Sequence, residues 1–366
     1  FTLVALFGVA KFYDTEESFW PLLLAGAALA LASIFKMVAI FPLIAICVYL
    51  VVAGADLRGE GERKKGGERV RRLACLLVPG AILWTIVFAY FISVGRFSAF
   101  WDAVFVYNTR YSSGLVVNVS KLALTPNLIF HPSLKEVWVL VLLSLAWFGF
   151  TRRRYNKIGR SLLIFFSIGL LVEIASPGKY YFHYYQLLLP VLCILPALFF
   201  DDLKERYKPA RAYLPILIFT ILSLAYYQWG YISRGPEGNS MKKYEEEFIE
   251  VREAAYIVKD MTAPCETIYS FGEETGLYYY SQRSAASGLF FIYALFFESE
   301  AERNIKLDRL YKDLTSEPPA LFILEDRWAG KLEGRFKIFL EDRFRFVRRV
   351  NSYSIYELRA RPVPEC

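Results

Sequence analysis

The chain has 366 residues, 55% of them hydrophobic and 17% aromatic, and a net charge of +7. Its charged residues gather in a few short loops and in the last third, which excludes an evenly solvated globular protein and argues for a membrane part followed by a soluble one. Short basic loops between apolar runs are what positive-inside topology produces, so the net charge needs no nucleic-acid partner and none is expected.

The first residue is Phe1 rather than a start methionine, and "FTLVALFGVAKF" reads like the end of a membrane helix without its beginning. The chain is therefore expected to be a fragment. The next apolar run, Phe19 to Ala53, is far longer than the about 20 residues one crossing needs. Lys36 divides it, which predicts two short segments, roughly 19 to 35 and 37 to 53, folded back at the lysine. "GAALALAS" supplies small residues that let helices approach closely in lipid.

Loop charge sets the orientation. Residues 54 to 72 carry Arg58, Arg63, Lys64, Lys65, Arg69, Arg71 and Arg72, which predicts a cytoplasmic loop. Leu73 to Val94 then leads out, "FSAFWDAVFVYNTRYSSGLVVNVSKLALTPNLIFHPSLKE" is a long external connection, and Val137 to Phe150 returns to the basic "TRRRYNKIGR". Leu162 to Ala175 leads out, Leu187 to Phe200 comes back to "DDLKERYKPAR", and Tyr213 to Tyr231 makes the last crossing. Residues 1–231 thus form a transmembrane helical domain, and residues 232–366 form an extracytoplasmic domain. Asn118-Val119-Ser120 in the external connection matches the short and common glycosylation sequon.

The tail reads as a small α/β domain, so the fold class is mainly α: a polytopic helical membrane domain followed by a small external α/β unit. "MKKYEEEFIEVREAAYIVKDM" and "ERNIKLDRLYKDLTSE" have helical spacing, while "ETIYSFG" and "PPALFILED" read as strands. "FRFVRRVNSYSIYELR" alternates around Asn351-Ser352 like a hairpin. "FGEETGLYYYSQR" is expected to be an aromatic loop that packs the domain on the membrane surface, with contact to an acceptor as the alternative. No glycine-rich phosphate loop precedes a helix. Cys47, Cys75 and Cys193 lie in apolar runs and Cys265 and Cys366 in the tail; their spacing suits no metal and leaves one tail disulfide open.

Between two apolar segments lies "EIASPGKYYFHYYQLLLPVLCILPALFF", Glu173 to Phe200, where a membrane–water boundary must run. Tyr180, Tyr181, Tyr184 and Tyr185 are amphipathic rings of the headgroup level, with Lys179 and His183 among them. Two readings stand side by side: an aromatic belt with a snorkelling lysine, or a polar pocket that holds an anionic lipid headgroup.

Four stretches, "LLLAGAALALASIFKMVAIFPL", "GRFSAFWDAVFVYNTRYSSG", "GKYYFHYYQLLLPVL" and "ETIYSFGEETGLYYYSQR", resemble in order and spacing the polyprenyl-phosphate-sugar-dependent C-type glycosyltransferases. The resemblance is to the relatives of protein O-mannosyltransferases and of the lipid A aminoarabinose transferase. It implies a multi-pass enzyme of the cell membrane that moves a sugar from a polyprenyl-phosphate carrier to a lipid, glycan or protein acceptor. The family's catalytic carboxylate sits in a first external loop, expected upstream of Phe1, so the catalytic residue is unknown here. No metal ligand is assigned, and whether a divalent metal assists is left open.

The reaction needs cations to meet the charge of the departing phosphate. Lys36, Arg110, Lys179 and His183 are the external candidates, each with a plainer role: Lys36 and Lys179 as snorkelling groups, Arg110 as a solvated charge, and His183 as a backbone hydrogen-bonder. Tyr180 and Tyr184 line the same stretch. Asp102 and Trp101 would bind and stack on a sugar, or else anchor an amphipathic helix at the surface. Glu173, an ionisable group near the end of an apolar segment, is a functional candidate by default, with an interfacial carboxylate reaching water as its alternative. A transporter or flippase of lipid-linked saccharides is the competing function, although no internal repeat supports it. A third reading, a receptor-like anchor for the tail, leaves the number of apolar segments unexplained.

Overall fold

The computed structural model describes the chain except residues 15–17, 53–61, 113, 130, 151–156, 208–212, 298–299 and 365–366. It divides into two compact units, Phe1–Gln228 and Trp229–Cys366. Among the described residues the regular elements of the first are all helices, and the second contains a small sheet. Much of the basic loops expected in the cytoplasm, at 54–61, 151–156 and 208–212, lies outside the described residues.

The first unit begins with α1 (Thr2–Asp14), α2 (Trp20–Phe35), α3 (Ile40–Val52) and α4 (Glu62–Ser93). The expected external connection is itself helical: α5 (Phe97–Trp101), a π-helical turn (Asp102–Val106), α6 (Tyr107–Tyr111), α7 (Leu115–Leu124), α8 (Pro126–Ile129) and a 3-10 turn (Pro132–Val137). Then come α9 (Trp138–Phe150), α10 (Lys157–Ala175), a 3-10 turn (Phe182–Leu188), α11 (Leu189–Arg206) and α12 (Leu214–Ile232).

Among the described residues three helices are long and apolar enough to cross a membrane: Gly67–Ser93, Phe182–Arg206 and Leu214–Ile232. Ile82, Ile86 and Ile92 on α4 and Phe219, Ile221 and Leu222 on α12 are exposed, an apolar outer surface suited to lipid rather than water. Trp20–Phe35, one of the runs expected to cross, forms a helix of 16 residues. At about 1.5 Å per residue it falls short of a hydrocarbon core of about 30 Å.

One core joins α1, α2, α3, α4, α9, α10 and α11, with Phe12, Leu22, Leu29, Tyr49, Trp147, Phe166 and Leu195 buried in it. Small residues bring the helices together, as "GAALALAS" predicts. A Cβ at Gly26 of α2 would run into the Leu76 carbonyl of α4, and one at Gly169 of α10 would come 2.8 Å from the Ala45 Cβ of α3. The division at Lys36 is present, but α2 and α3 meet only near the break. α2 packs mainly on α1 and α4, and α3 mainly on α10.

The second unit runs α13 (Gly235–Tyr244), α14 (Glu247–Asp260), β1 (Thr267–Phe271), α15 (Gly276–Ser281), β2 (Ser284–Ala285), α16 (Glu300–Ser316), β3 (Leu321–Glu325), α17 (Asp326–Ala329), α18 (Arg335–Arg343), β4 (Phe344–Val350) and β5 (Tyr353–Leu358). The sheet order is β2-β1-β3-β5-β4, with β1 parallel to β2 and β3, and β5 antiparallel to β3 and β4. Alternate residues of β3 serve two cores: Phe322 and Leu324 face α16 and α18, Leu321 and Ile323 face α14 and α15.

Two expectations change here. The single helix expected over residues 241–261 is two helices, because Glu245 takes φ +56° between α13 and α14. The aromatic stretch after β1 is no surface loop: α15 packs on α14, Leu277 is buried, and the Tyr278 hydroxyl accepts the Ser270 N–H at 2.8 Å. Of its three tyrosines, Tyr279 is the one that stands out, 78% exposed. The hairpin β4–β5 turns at Asn351 and Ser352 as expected, with Asn351 at φ +50°, a conformation asparagine tolerates.

Candidate functional site

Lys36 is the residue where α2 stops. Its backbone is extended, φ −153° and ψ 112°, and a 3-10 turn (Met37–Ala39) then leads into α3. An ammonium at the end of α2 complements the helix carbonyls left without intrahelical donors. The side chain, half-buried, places Nζ 3.9 Å from the centre of the Tyr184 ring. Among the described residues no carboxylate comes within ion-pair distance of it, so its donors are not already spent on a carboxylate.

The acid that acts on Lys36 is Glu173, in the last turn of α10, and the two attract each other from beyond ion-pair distance. Glu173 is 2% exposed, and its Oε2 has no hydrogen-bond partner. Its neighbours Ile174 and Ala175 share a small core with Tyr184, Tyr180, Tyr185, Leu122, Leu134 and Leu192. Lys36, from the break after α2, and Glu173 and Tyr184, from the end of α10 and the 3-10 turn after it, are therefore one cluster.

A second group of polar contacts shapes the loop beside it. Gly178 has φ +70°, and a Cβ there would come within 2.6 Å of Asn118 Oδ1. Asn118 Nδ2 donates to the Ser176 carbonyl at 2.9 Å and to Ser112 Oγ at 3.1 Å, while Ser112 Oγ donates to the same carbonyl at 2.7 Å. The Tyr180 hydroxyl donates to the Asn118 carbonyl, and Tyr185 to Leu128 at 2.6 Å. Asn118 is 2% exposed. The sequon reading is thus corrected: this amide is a buried clamp between α7 and the loop, closed to a glycosylating enzyme.

The predicted residues divide accordingly. Tyr184 carries Lys36 on its ring, and His183 meets the same ring edge-on at 4.5 Å while stacking on Tyr181 at 5.8 Å. Tyr180 is tied to α7 by its hydroxyl, and Lys179 is half-buried between Gly178 and Tyr180. Trp101, Asp102 and Arg110 belong to the α5–α6 segment and are exposed. Trp101 stacks on Phe105 at 4.5 Å within a cluster of rings that includes Phe88, Phe97 and Phe100, which fixes the segment on α4. Asp102 opens the π-helical turn.

His131 was not singled out from the sequence, yet it stacks on Tyr185 at 4.2 Å and meets Phe182 edge-on at 4.9 Å. The signal available was scarcity: the chain has two histidines, and this one precedes Pro132 in the external connection.

A second cluster lies at the ends of β1 and β3 in the tail. Glu247, Glu273 and Glu274 offer oxygens within 4.8 Å of one another, a spacing a metal would accept. The Arg327 guanidinium holds that cluster instead, bonded to Glu325 at 2.6 Å, to Glu273 at 3.0 Å and to Glu247. Glu325 is buried, and its Oε2 accepts the Glu273 N–H at 3.0 Å. Burial, followed by the charge of Glu247 and a hydrogen bond to it, pushes the Glu274 carboxyl up to about 7. Elsewhere in the tail Cys265 is disulfide-bonded, whereas Cys47, Cys75 and Cys193 are free.

Two measurements follow from these contacts. Asn118→Ala leaves the Tyr180–Gly178 loop without its clamp and should lower apparent stability by about 1–3 kcal/mol in a thermal scan, while intact-mass analysis of the parent protein should find no glycan on Asn118. In the tail, a raised Glu274 pKa means the folded state holds a proton that the unfolded chain gives up near the ordinary 4.5. Its contribution is complete below that value and is lost as pH climbs through about 7. Thermal unfolding of the tail unit should therefore show a falling midpoint from about pH 5 to about pH 8, and Glu274→Gln should flatten that slope; an unchanged slope would remove Glu274 as its cause.

Comparison with family models, curated proteins and solved structures gives no match, so what this chain does must be argued from its own residues.

Proposed function

We propose that the chain is part of a multi-pass membrane glycosyltransferase that moves a sugar from a polyprenyl-phosphate carrier to an acceptor hydroxyl on the extracytoplasmic side. The observation that carries this reading is Lys36: an ammonium at a helix break, set on an aromatic ring and without a carboxylate partner among the described residues. A cation kept in apolar surroundings without an ion pair is costly, and such groups mark substrate or ion pathways. Glu173 acts on it only from beyond ion-pair distance, and an anionic headgroup arriving from the lipid would supply the direct contact.

In the transfer, the acceptor oxygen forms a bond to the anomeric carbon as the bond from that carbon to the carrier phosphate breaks. The electron pair of the broken bond goes to the phosphate. Lys36 stabilises that growing charge, with Lys179 and His183 as the nearby cationic or protonatable groups of the same stretch. The acceptor's proton needs a carboxylate, which the family resemblance assigns to a first external loop. The disulfide at Cys265 supports an oxidising compartment for the tail, in keeping with the basic loops between the apolar runs. Reporters fused after Lys64 and after Arg154 should report cytoplasm, and one after Asn239 the outside; a cytoplasmic tail would overturn the orientation and the site with it.

One observation favours a flippase of lipid-linked saccharides instead: transporters build their sites at interrupted helices, and α2 and α3 are interrupted at Lys36. Chemistry separates the two. In the full-length protein, Lys36→Ala should lower sugar transfer from a polyprenyl-phosphate donor by about ten- to a thousandfold, roughly 1.4 to 4 kcal/mol, with normal insertion. Lys36→Arg should recover part of it through charge. Translocation of the intact carrier without sugar transfer would favour the flippase, and undiminished transfer by the Lys36→Ala protein would end the phosphate reading of the cluster. Lys179→Ala and His183→Gln, assayed beside it, report whether "GKYYFHYY" acts on the same charge or forms an aromatic belt.

A further inference from the structure

Glu173 is not explained by cation binding to a phosphate, since a carboxylate beside such a site repels the ligand. It is nonetheless buried to 2% exposure at the end of an apolar helix, with Oε2 unpaired. Lys36 is the charge that acts on it, and the Lys36 ammonium is held on Tyr184, which packs in one core with Ile174 and Ala175 next to Glu173. Packing gives no reason for this arrangement, because an apolar side chain would fill the same volume without a buried unpaired oxygen. Hydrogen bonding gives none either: the loop is already clamped by Asn118, Ser112 and Ser176.

We infer that Glu173 is a counter-charge that limits how tightly the Lys36 cluster holds the phosphate of a polyprenyl carrier, and so allows the spent carrier to leave. The inference rests on reading Lys36 as the phosphate contact. Before the ligand arrives, the carboxylate offsets the ammonium and lowers the cost of keeping it half-buried. With phosphate present, the ammonium is shared between two anions, and the repulsion between them weakens binding. Glu173 touches no reacting atom in this scheme and acts through Lys36, as a positioning residue. A carrier that departs as a free phosphate is held more strongly by a bare lysine than its sugar-bearing form, so release is the step a counter-charge helps most.

The test measures binding of a radiolabelled polyprenyl monophosphate to the full-length protein in nanodiscs. Glu173→Gln, which keeps the shape and removes the charge, should tighten binding about tenfold, whereas Glu173→Asp should stay near the parent value. In steady-state transfer the Gln variant should show a lower KM for the donor, with a lower kcat and stronger inhibition by the monophosphate. A packing defect does not tighten binding, so tighter binding separates a counter-charge from a structural role. Should the Gln variant not accumulate, Glu173→Met removes the charge at similar volume. Unchanged or weaker binding by the neutral variants, while Lys36→Ala binds poorly, overturns the counter-charge and leaves the phosphate site standing. Parent-like binding by Lys36→Ala overturns both. Unlabelled polyprenyl monophosphate should displace the probe and equimolar inorganic phosphate should not; equal displacement by both overturns the assignment to a carrier lipid.

Discussion

An ammonium group set among apolar helices must find negative charge, an aromatic face or water, and the break between α2 and α3 meets that need at Lys36. The chain ends α2 there, and a positive charge at a helix C-terminus is complementary to its dipole. Tyr184 comes from a 3-10 turn well over a hundred residues later and offers its ring at 3.9 Å. Glu173 adds a carboxylate beyond ion-pair distance. None of the three is adequate alone. A cation–π contact is worth about 0.5–2 kcal/mol, less than the cost of burying an ammonium, so the combination and the proximity of the loop all matter.

The loop that brings Tyr184 into place is held by a different kind of force. Asn118 and Ser112 share the Ser176 carbonyl, Gly178 takes a left-handed conformation and leaves no room for a side chain beside Asn118, and Tyr180 ties the loop to α7. These are directional bonds in a place where few water molecules compete, which is where a hydrogen bond gives most. Below this level, the helices approach through glycine and alanine at Gly26 and Gly169, where no directional bond is needed. The unit thus has a packed apolar part that sets helix positions and a polar rim at one end that sets the site.

The tail obeys the rules of a soluble α/β domain. Its parallel strands β1 and β3 end at a group of glutamates, and Arg327 supplies the cation that keeps that group together. The same residues at metal-like spacing would have invited a metal assignment from distances alone. The guanidinium within the cluster changes what the geometry means.

Composition and periodicity by themselves determined the class of the long apolar runs and of the tail strands, though not of the external connection or of α15, which are helical. Apolar runs became helices, β1, β3 and the β4–β5 hairpin formed where alternation and turn residues put them, and the break at Lys36 fell where a charge interrupts a hydrophobic stretch. These are local properties, written in neighbouring residues. Partnership was not legible. That Lys36 meets Tyr184 and feels Glu173, that Asn118 is a buried clamp and not a glycan acceptor, that His131 stacks on Tyr185, and that α15 belongs to the tail core all depend on which helix faces pack together. A single sequence specifies which faces are apolar or small, but many pairings of such faces are compatible with it. Only the tertiary structure selects one, through close approaches at single glycines and hydrogen bonds between segments more than fifty residues apart.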